Sequence, residues 1–162
     1  MKWHLGIAFL VAAASSQAAD RFTVVPLEKL SPEQGKLIQN MLAGPRGGGD
    51  ASPEQVKRIR EHGLFGGYLQ SPELGDRLQN FGAYVRFNTS INPRLNEFAI
   101  LITARYWSAQ YEWYAHLPLA LKAGLDPKIA EDLAQNKRPG GMKEDESAVY
   151  DFCTQLHRTK KV

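Results

Sequence analysis

Two features of this 162-residue chain predict an all-α fold. A residue that can cap a helix stands directly before a proline at five places, and proline is favoured at the first position of a helix. Apolar residues between these starts recur at helical spacing, with almost no alternation typical of strands. The five helix starts are Ser31-Pro32, Ser52-Pro53, Ser71-Pro72, Asn92-Pro93 and Asp126-Pro127.

The first half of the chain is predicted to form three helices. The helix that begins at Ser31 ends by Gly44, and a second, short helix begins at Ser52 and stops at Gly63. The segment 46–50 is glycine-rich but lacks the Gly-Lys-Ser/Thr ending of a phosphate-binding loop, so we interpret it as a linker. A third helix begins at Ser71. One apolar stripe runs along it: Leu74, Leu78, Phe81 and Val85.

The second half is predicted to form four helices. One begins at Asn92, and the next, which Ser108 is expected to cap, closes at Gly124. A further helix starts at Asp126. After a Pro-Gly-Gly break at 139–141, the last helix runs from about Lys143 to Arg158.

An acid and a base lie one helical turn apart in the helix that precedes Gly124. Glu112 and His116 are four residues apart, so their side chains share a helix face. A carboxylate can orient an imidazole for proton transfer near neutral pH. An exposed Glu/His pair of this kind is also a common structural feature that contributes only about 0.2–0.5 kcal/mol.

Two observations favour the catalytic interpretation. Aromatic residues surround the pair, and Trp107, Tyr111 and Trp113 are candidates to line an apolar pocket. The preceding helix is strongly apolar around Glu97, and a carboxylate in such a setting needs a partner. We therefore expect Glu97 to converge on His116.

The segments Arg94-Leu95-Asn96-Glu97-Phe98-Ala99-Ile100-Leu101, Tyr111-Glu112-Trp113-Tyr114-Ala115-His116 and Ala123-Gly124-Leu125 resemble the carboxymuconolactone decarboxylase family, part of the alkylhydroperoxidase D-like superfamily. The similarity extends from roughly residue 64 to the C-terminus. It implies an all-α, alkylhydroperoxidase D-like helical bundle that assembles as a homo-oligomer. Members usually continue past the equivalent of Lys161-Val162 with further helices, so either the sequence is truncated or this member does without them. If such helices are missing, apolar surface would be exposed or covered by another subunit.

The resemblance also identifies a thiol-less branch with a Tyr-Glu-Trp-x-x-His motif. The hydroperoxidase branch carries a Cys-x-x-Cys pair, whose positions are occupied here by Ala109 and Glu112. Peroxide reduction by such a pair needs both an attacking and a resolving thiol. A peroxiredoxin-type or alkylhydroperoxidase-type antioxidant activity is therefore disfavoured. The decarboxylase branch places a Glu four residues before its His, as Glu112 is placed.

The first 19 residues have the layout of a secretory signal peptide: a short basic start, an apolar run from Leu5 to Ala14, and small residues up to Ala19. The run is too short to span a membrane. We expect an exported, periplasmic or secreted protein that does not bind a membrane after cleavage. The predicted organisation is a signal peptide at 1–19, an N-terminal helical extension with the Gly-rich loop at 20–63, and the decarboxylase-like domain at 64–162.

The single cysteine, Cys153, cannot form an intrachain disulfide. It falls on an apolar helix face with Val149, Phe152 and Leu156, and we interpret it as a packing residue, with a reactive or intermolecularly bridging thiol as the alternative.

The net charge of +3 is spread along the chain, without the clustered basic and aromatic residues of a nucleic-acid interface. Two hypotheses follow. In the first, the chain is an enzyme, a lyase if active, that decarboxylates or processes a small carboxylated or lactone-type molecule. His116 is then the general acid/base, Glu112 orients it, and Glu97 relays a proton or neutralises the imidazolium, with no cofactor and no metal. In the second, it is a non-catalytic binding or oligomeric module of the same fold.

Overall fold

The computed structural model describes residues 23–47, 49 and 51–161. The predicted signal peptide at 1–19 lies outside the described residues. Across this described part the chain is helical, without strands, which confirms the all-α prediction. Among the described residues, eight α-helices follow a short 3-10 helix at Leu27–Lys29, and none of these helices is long and apolar enough to cross a membrane. They are α1 Pro32–Ala43, α2 Pro53–Glu61, α3 Gly63–Tyr68, α4 Pro72–Phe87, α5 Pro93–Tyr106, α6 Gln110–Lys122, α7 Pro127–Ala134 and α8 Glu144–Thr159.

Four of the five predicted helix starts are confirmed by cap geometry, at Ser31, Ser52, Asn92 and Asp126. Ser31 accepts a hydrogen bond from the Gln34 amide at 3.2 Å, and the Gln34 side chain accepts one from the Ser31 amide, forming a capping box. Asn92 accepts from the Arg94 amide at 2.9 Å, and Asp126 caps α7 in the same way. These starts depend on residues within one turn, which is why the sequence alone identifies them.

One local prediction is wrong. Ser108 does not cap α6: the N-cap is Ala109, and Ser108 stands before it with φ of 53°, in the left-handed region. The second helix stops near Gly63, as predicted, and a short helix that the sequence pattern did not predict, α3, begins there. There the ring nitrogen Nδ1 of His62 accepts hydrogen bonds from the Leu64 and Phe65 amides, a cap that the glycine-rich sequence concealed.

The chain divides into two compact units between Ala83 and Tyr84. In the first unit, α1 buries Leu37, Ile38 and Met41, against which Leu69 and other apolar side chains pack. Gly75 has no room for a side chain, because a Cβ there would lie 2.7 Å from the Cβ of Tyr68. The predicted boundary at residue 64 comes from the family resemblance and stays a prediction.

The predicted apolar stripe of α4 does not face a core. Leu74, Leu78, Phe81 and Val85 are all exposed, with Phe81 at 69%, whereas the buried residues of α4 are Gly75 and Gln79. Helical spacing indicates that such residues share a face, but it does not say whether anything covers that face.

The second unit is organised around α5, which packs against α6, α7 and α8. Phe98 and Leu101 on α5 are fully buried, as are Ala120, Leu125 and Ile129 on or near α6 and α7. α6 ends where Gly124 adopts φ of 94°, as predicted, since a residue with a side chain rarely takes this conformation. The predicted break at 139–141 and the last helix are confirmed by α8.

An ion cluster joins the starts of α5 and α8. The Arg94 guanidinium donates to the carboxylate of Glu146, which is 1% exposed, and to Asp145 at 2.6 Å. Glu146 also accepts from the Lys143 amide at 2.7 Å, so its charge is matched by one charged and one backbone donor. A buried carboxylate requires such compensation. The cluster fixes α8 against the helix that carries Glu97.

Candidate active site

The packing of α5 on α6 brings together two residues that are distant in sequence. Glu97 lies on the second turn of α5, and His116 lies in the middle of α6. Glu97 Oε2 is 2.6 Å from His116 Nδ1, and both residues are buried. The expected convergence of Glu97 on His116 is therefore present as a short, buried hydrogen bond.

Glu112 lies on the other side of the imidazole. Its Oε2 is 3.4 Å from His116 Nε2, one helical turn away on α6, as the spacing indicated. The Glu112 side chain is 42% exposed, whereas that of His116 is 10% exposed. Glu112 thus stands between a buried imidazole nitrogen and solvent.

Arg86 is a member of the site that sequence reasoning missed. Its Nη2 donates to Glu97 Oε1 at 3.1 Å, and its backbone carbonyl accepts from Asn96 Nδ2 at the same distance. The only signal in the sequence was that a carboxylate in an apolar helix needs a partner. Spacing could not show which cation fills that role, since Arg86 belongs to the preceding helix.

The four side chains form a row in which basic groups alternate with carboxylates: Arg86, Glu97, His116 and Glu112. A carboxylate at Nδ1 fixes the tautomer of a histidine, so the neutral ring keeps its proton on Nδ1 and its lone pair on Nε2. Nε2 is then the atom that accepts or donates a proton, and it faces Glu112. The arrangement can hold one exchangeable proton on His116 Nε2, orient it, and replace it after it has been transferred.

The three aromatic candidates are placed differently. Trp113 is partly buried and packs against the core of the second unit. It also lines a cavity of about 340 Å³ with Ala104, Arg105 and Ala109. Trp107 and Tyr111 are 64% and 48% exposed, and neither lines this cavity.

Cys153 lies apart from the candidate site, on α8. It is partly buried against the core of the second unit, and burial raises the pKa of its thiol. Of its predicted face, Val149 also packs on the core, but Phe152 is 53% exposed. Within the described residues, no group of three His, Cys, Asp or Glu side chains is arranged to hold a metal ion.

No protein-family model matches the chain, and neither a curated protein nor a solved structure is significantly similar to it. The geometry around His116 therefore carries the functional argument.

Proposed function

We propose that this protein is an exported, carboxymuconolactone decarboxylase-like lyase that performs acid/base chemistry on a small carboxylated or lactone-type molecule. The observation that carries the proposal is the buried hydrogen bond between Glu97 and His116, with Glu112 at the opposite ring nitrogen. A histidine held between two carboxylates is oriented at one nitrogen and supplied with protons at the other.

In a decarboxylation the bond between the carboxylate carbon and its neighbour breaks, and CO2 leaves. The electron pair stays on the neighbouring carbon as an enolate, provided that a carbonyl group is conjugated to it. The His116 imidazolium donates its Nε2 proton to that carbon, and the resulting neutral ring recovers a proton from solvent through Glu112. A well-placed acid of this kind contributes about 10² to 10⁴-fold to the rate.

Deuterium exchange tests the proton transfer without knowledge of the natural substrate. The protein is incubated in D2O with a set of small lactone carboxylates and 3-oxo acids, and proton NMR follows both loss of the C–H signal next to the carbonyl and formation of the decarboxylated product. We expect exchange that falls about 10² to 10⁴-fold in His116→Gln. His157→Gln is the matched control, because His157 lies on α8 and contacts Thr103 and Tyr106 rather than the site. Equal exchange in both variants, or none in the wild type across the set, would count against the enzyme.

A second candidate function is an oligomeric binding module, favoured by the exposed stripe of α4. Its four residues are spaced by four, three and four positions, which is the spacing of the apolar seam between paired helices. In an antiparallel pair of α4 helices, Leu78 of one copy would face Phe81 of the other, and Leu74 would face Val85. We propose a homo-oligomer that covers this stripe, which is compatible with either function.

A further inference from the structure

A cavity beside the candidate site has the features of a binding site for a small anion. It lies within the second unit, where the end of α5, the start of α6 and the end of α7 meet, and its volume is about 340 Å³. This is within the range of small-molecule sites, about 300–1,000 Å³. None of Arg86, Glu97, Glu112 and His116 lines it.

The cavity has one cationic side chain, Arg105. Its Nε donates to the Ala134 carbonyl at 3.0 Å, which fixes one edge of the guanidinium against the end of α7. In the described part of the chain, no carboxylate lies within ion-pair distance of it, unlike Arg86, Arg94 and Arg138. The donors on its two Nη atoms are therefore available to a ligand. A planar guanidinium anchored at Nε presents them in the geometry that suits a carboxylate.

The other residues that line the cavity are small, aromatic or polar. Ala104, Ala109 and Ala134 are small, so they leave space, and the Trp113 indole supplies a flat apolar wall. Ser108 and Gln110 add a hydroxyl and an amide group to the lining. One anchored cation, one aromatic wall and small aliphatic neighbours suit a ligand with a single carboxylate and a flat apolar body.

We infer that this cavity binds a small aromatic or unsaturated monocarboxylate, with Arg105 holding the carboxylate and Trp113 stacking on the apolar body. The inference concerns binding, and it does not rest on proton transfer by His116. If the protein has both the proposed proton transfer and this binding site, Trp113 connects the cavity to the catalytic residues, because it lies three residues before His116 on α6.

Titration with benzoate tests the inference, with the Trp113 indole and the Ala109 and Gln110 amides followed by 15N NMR on the full mature chain. Benzamide has the same shape without the charge, and acetate has the charge without the ring. We expect saturable shifts with benzoate at millimolar concentration and about tenfold weaker binding of each of the other two compounds.

Two variants act on the cavity from different sides. Arg105→Gln removes the guanidinium, and Ala109→Leu fills the space while leaving Arg105 in place; each should weaken benzoate binding about tenfold or more. Arg77→Gln, at an exposed side chain of α4, is the matched control and should bind benzoate as the wild type does. His116→Gln should also retain binding, even if it loses exchange activity, which separates this inference from the proposed enzyme. Absence of saturation by about 20 mM benzoate, equal binding of benzamide, or unchanged binding in both cavity variants would each overturn the inference.

Discussion

Glu97 Oε2 lies 2.6 Å from His116 Nδ1. This buried contact joins α5 to α6, although the two residues are 19 positions apart in sequence. Because Glu97 also accepts from Arg86, its carboxylate is held at both oxygens. The imidazole cannot turn without breaking a hydrogen bond inside the protein. His116 is thereby oriented before any ligand arrives.

The tautomer of His116 should depend on Glu97. In the wild type, 15N NMR at a pH where the ring is neutral should show the proton on Nδ1. Glu97→Ala removes the acceptor, so the proton should redistribute toward Nε2. Glu112→Gln is the control and should leave Nδ1 protonated, since its contact is with Nε2. Detection of the Nε2 proton as the main form in the wild type would contradict the proposed orientation.

The same Glu97→Ala change should reduce stability. It leaves the partly buried Arg86 without its carboxylate, and a buried donor without a partner costs about 1–3 kcal/mol. Urea unfolding followed by circular dichroism measures this loss. Removing Arg86 as well should recover part of it, because the unpaired charge disappears; a double variant that loses the full sum of both single changes would show that the two residues do not interact.

Arg94→Met should be more destabilising than any change at the exposed ion pairs. It leaves Glu146, which is 1% exposed, without a charged partner, and breaking a buried pair in this way typically costs about 3–5 kcal/mol. Arg77→Met, which breaks the exposed pair with Glu73, is the control and should cost at most about 1 kcal/mol. Denaturant midpoints compare the two, and similar losses would show that the cluster between α5 and α8 contributes little.

Protonation of Asp145 should lower the stability of the protein in acid. Burial acts to raise the pKa of this carboxyl, but the hydrogen bond from Arg94, the Glu146 amide and the nearby positive charges outweigh it and hold the pKa below its usual range. The folded state therefore binds a proton less readily than the unfolded chain, and the stabilisation is present above the ordinary Asp pKa and lost as the pH falls below it. Asp145→Asn should flatten this part of the curve of unfolding free energy against pH. A wild-type slope in Asp145→Asn would refute the assignment.

Phe81 should control assembly rather than folding. Since its side chain is 69% exposed, Phe81→Ser should change the unfolding free energy of a single chain by no more than about 0.5 kcal/mol. If α4 pairs with a second copy, the same change should convert the oligomer to a monomer in sedimentation velocity. Tyr114→Ser, at a 77% exposed residue of α6, should not. A wild-type protein that is monomeric at all concentrations would contradict the proposed oligomeric module.

The sequence by itself determined the features that depend on neighbours within a few residues. The capped starts at Ser31, Asn92 and Asp126, and the left-handed end at Gly124, follow from local hydrogen bonds and backbone conformation. The pairing of Glu112 with His116 follows from the helical repeat alone. The cap of α6 was missed because Ser108 takes a left-handed conformation instead of capping.

Only the tertiary structure decided which distant charged groups form ion pairs and which apolar faces stay uncovered. Arg86 reaches Glu97, and Arg94 reaches Glu146, because the packing of whole helices sets these distances. The stripe of α4 had the same helical spacing as a core face, yet it is exposed. Periodicity places side chains on one side of a helix, whereas burial and ion pairing depend on what the rest of the chain brings against that side.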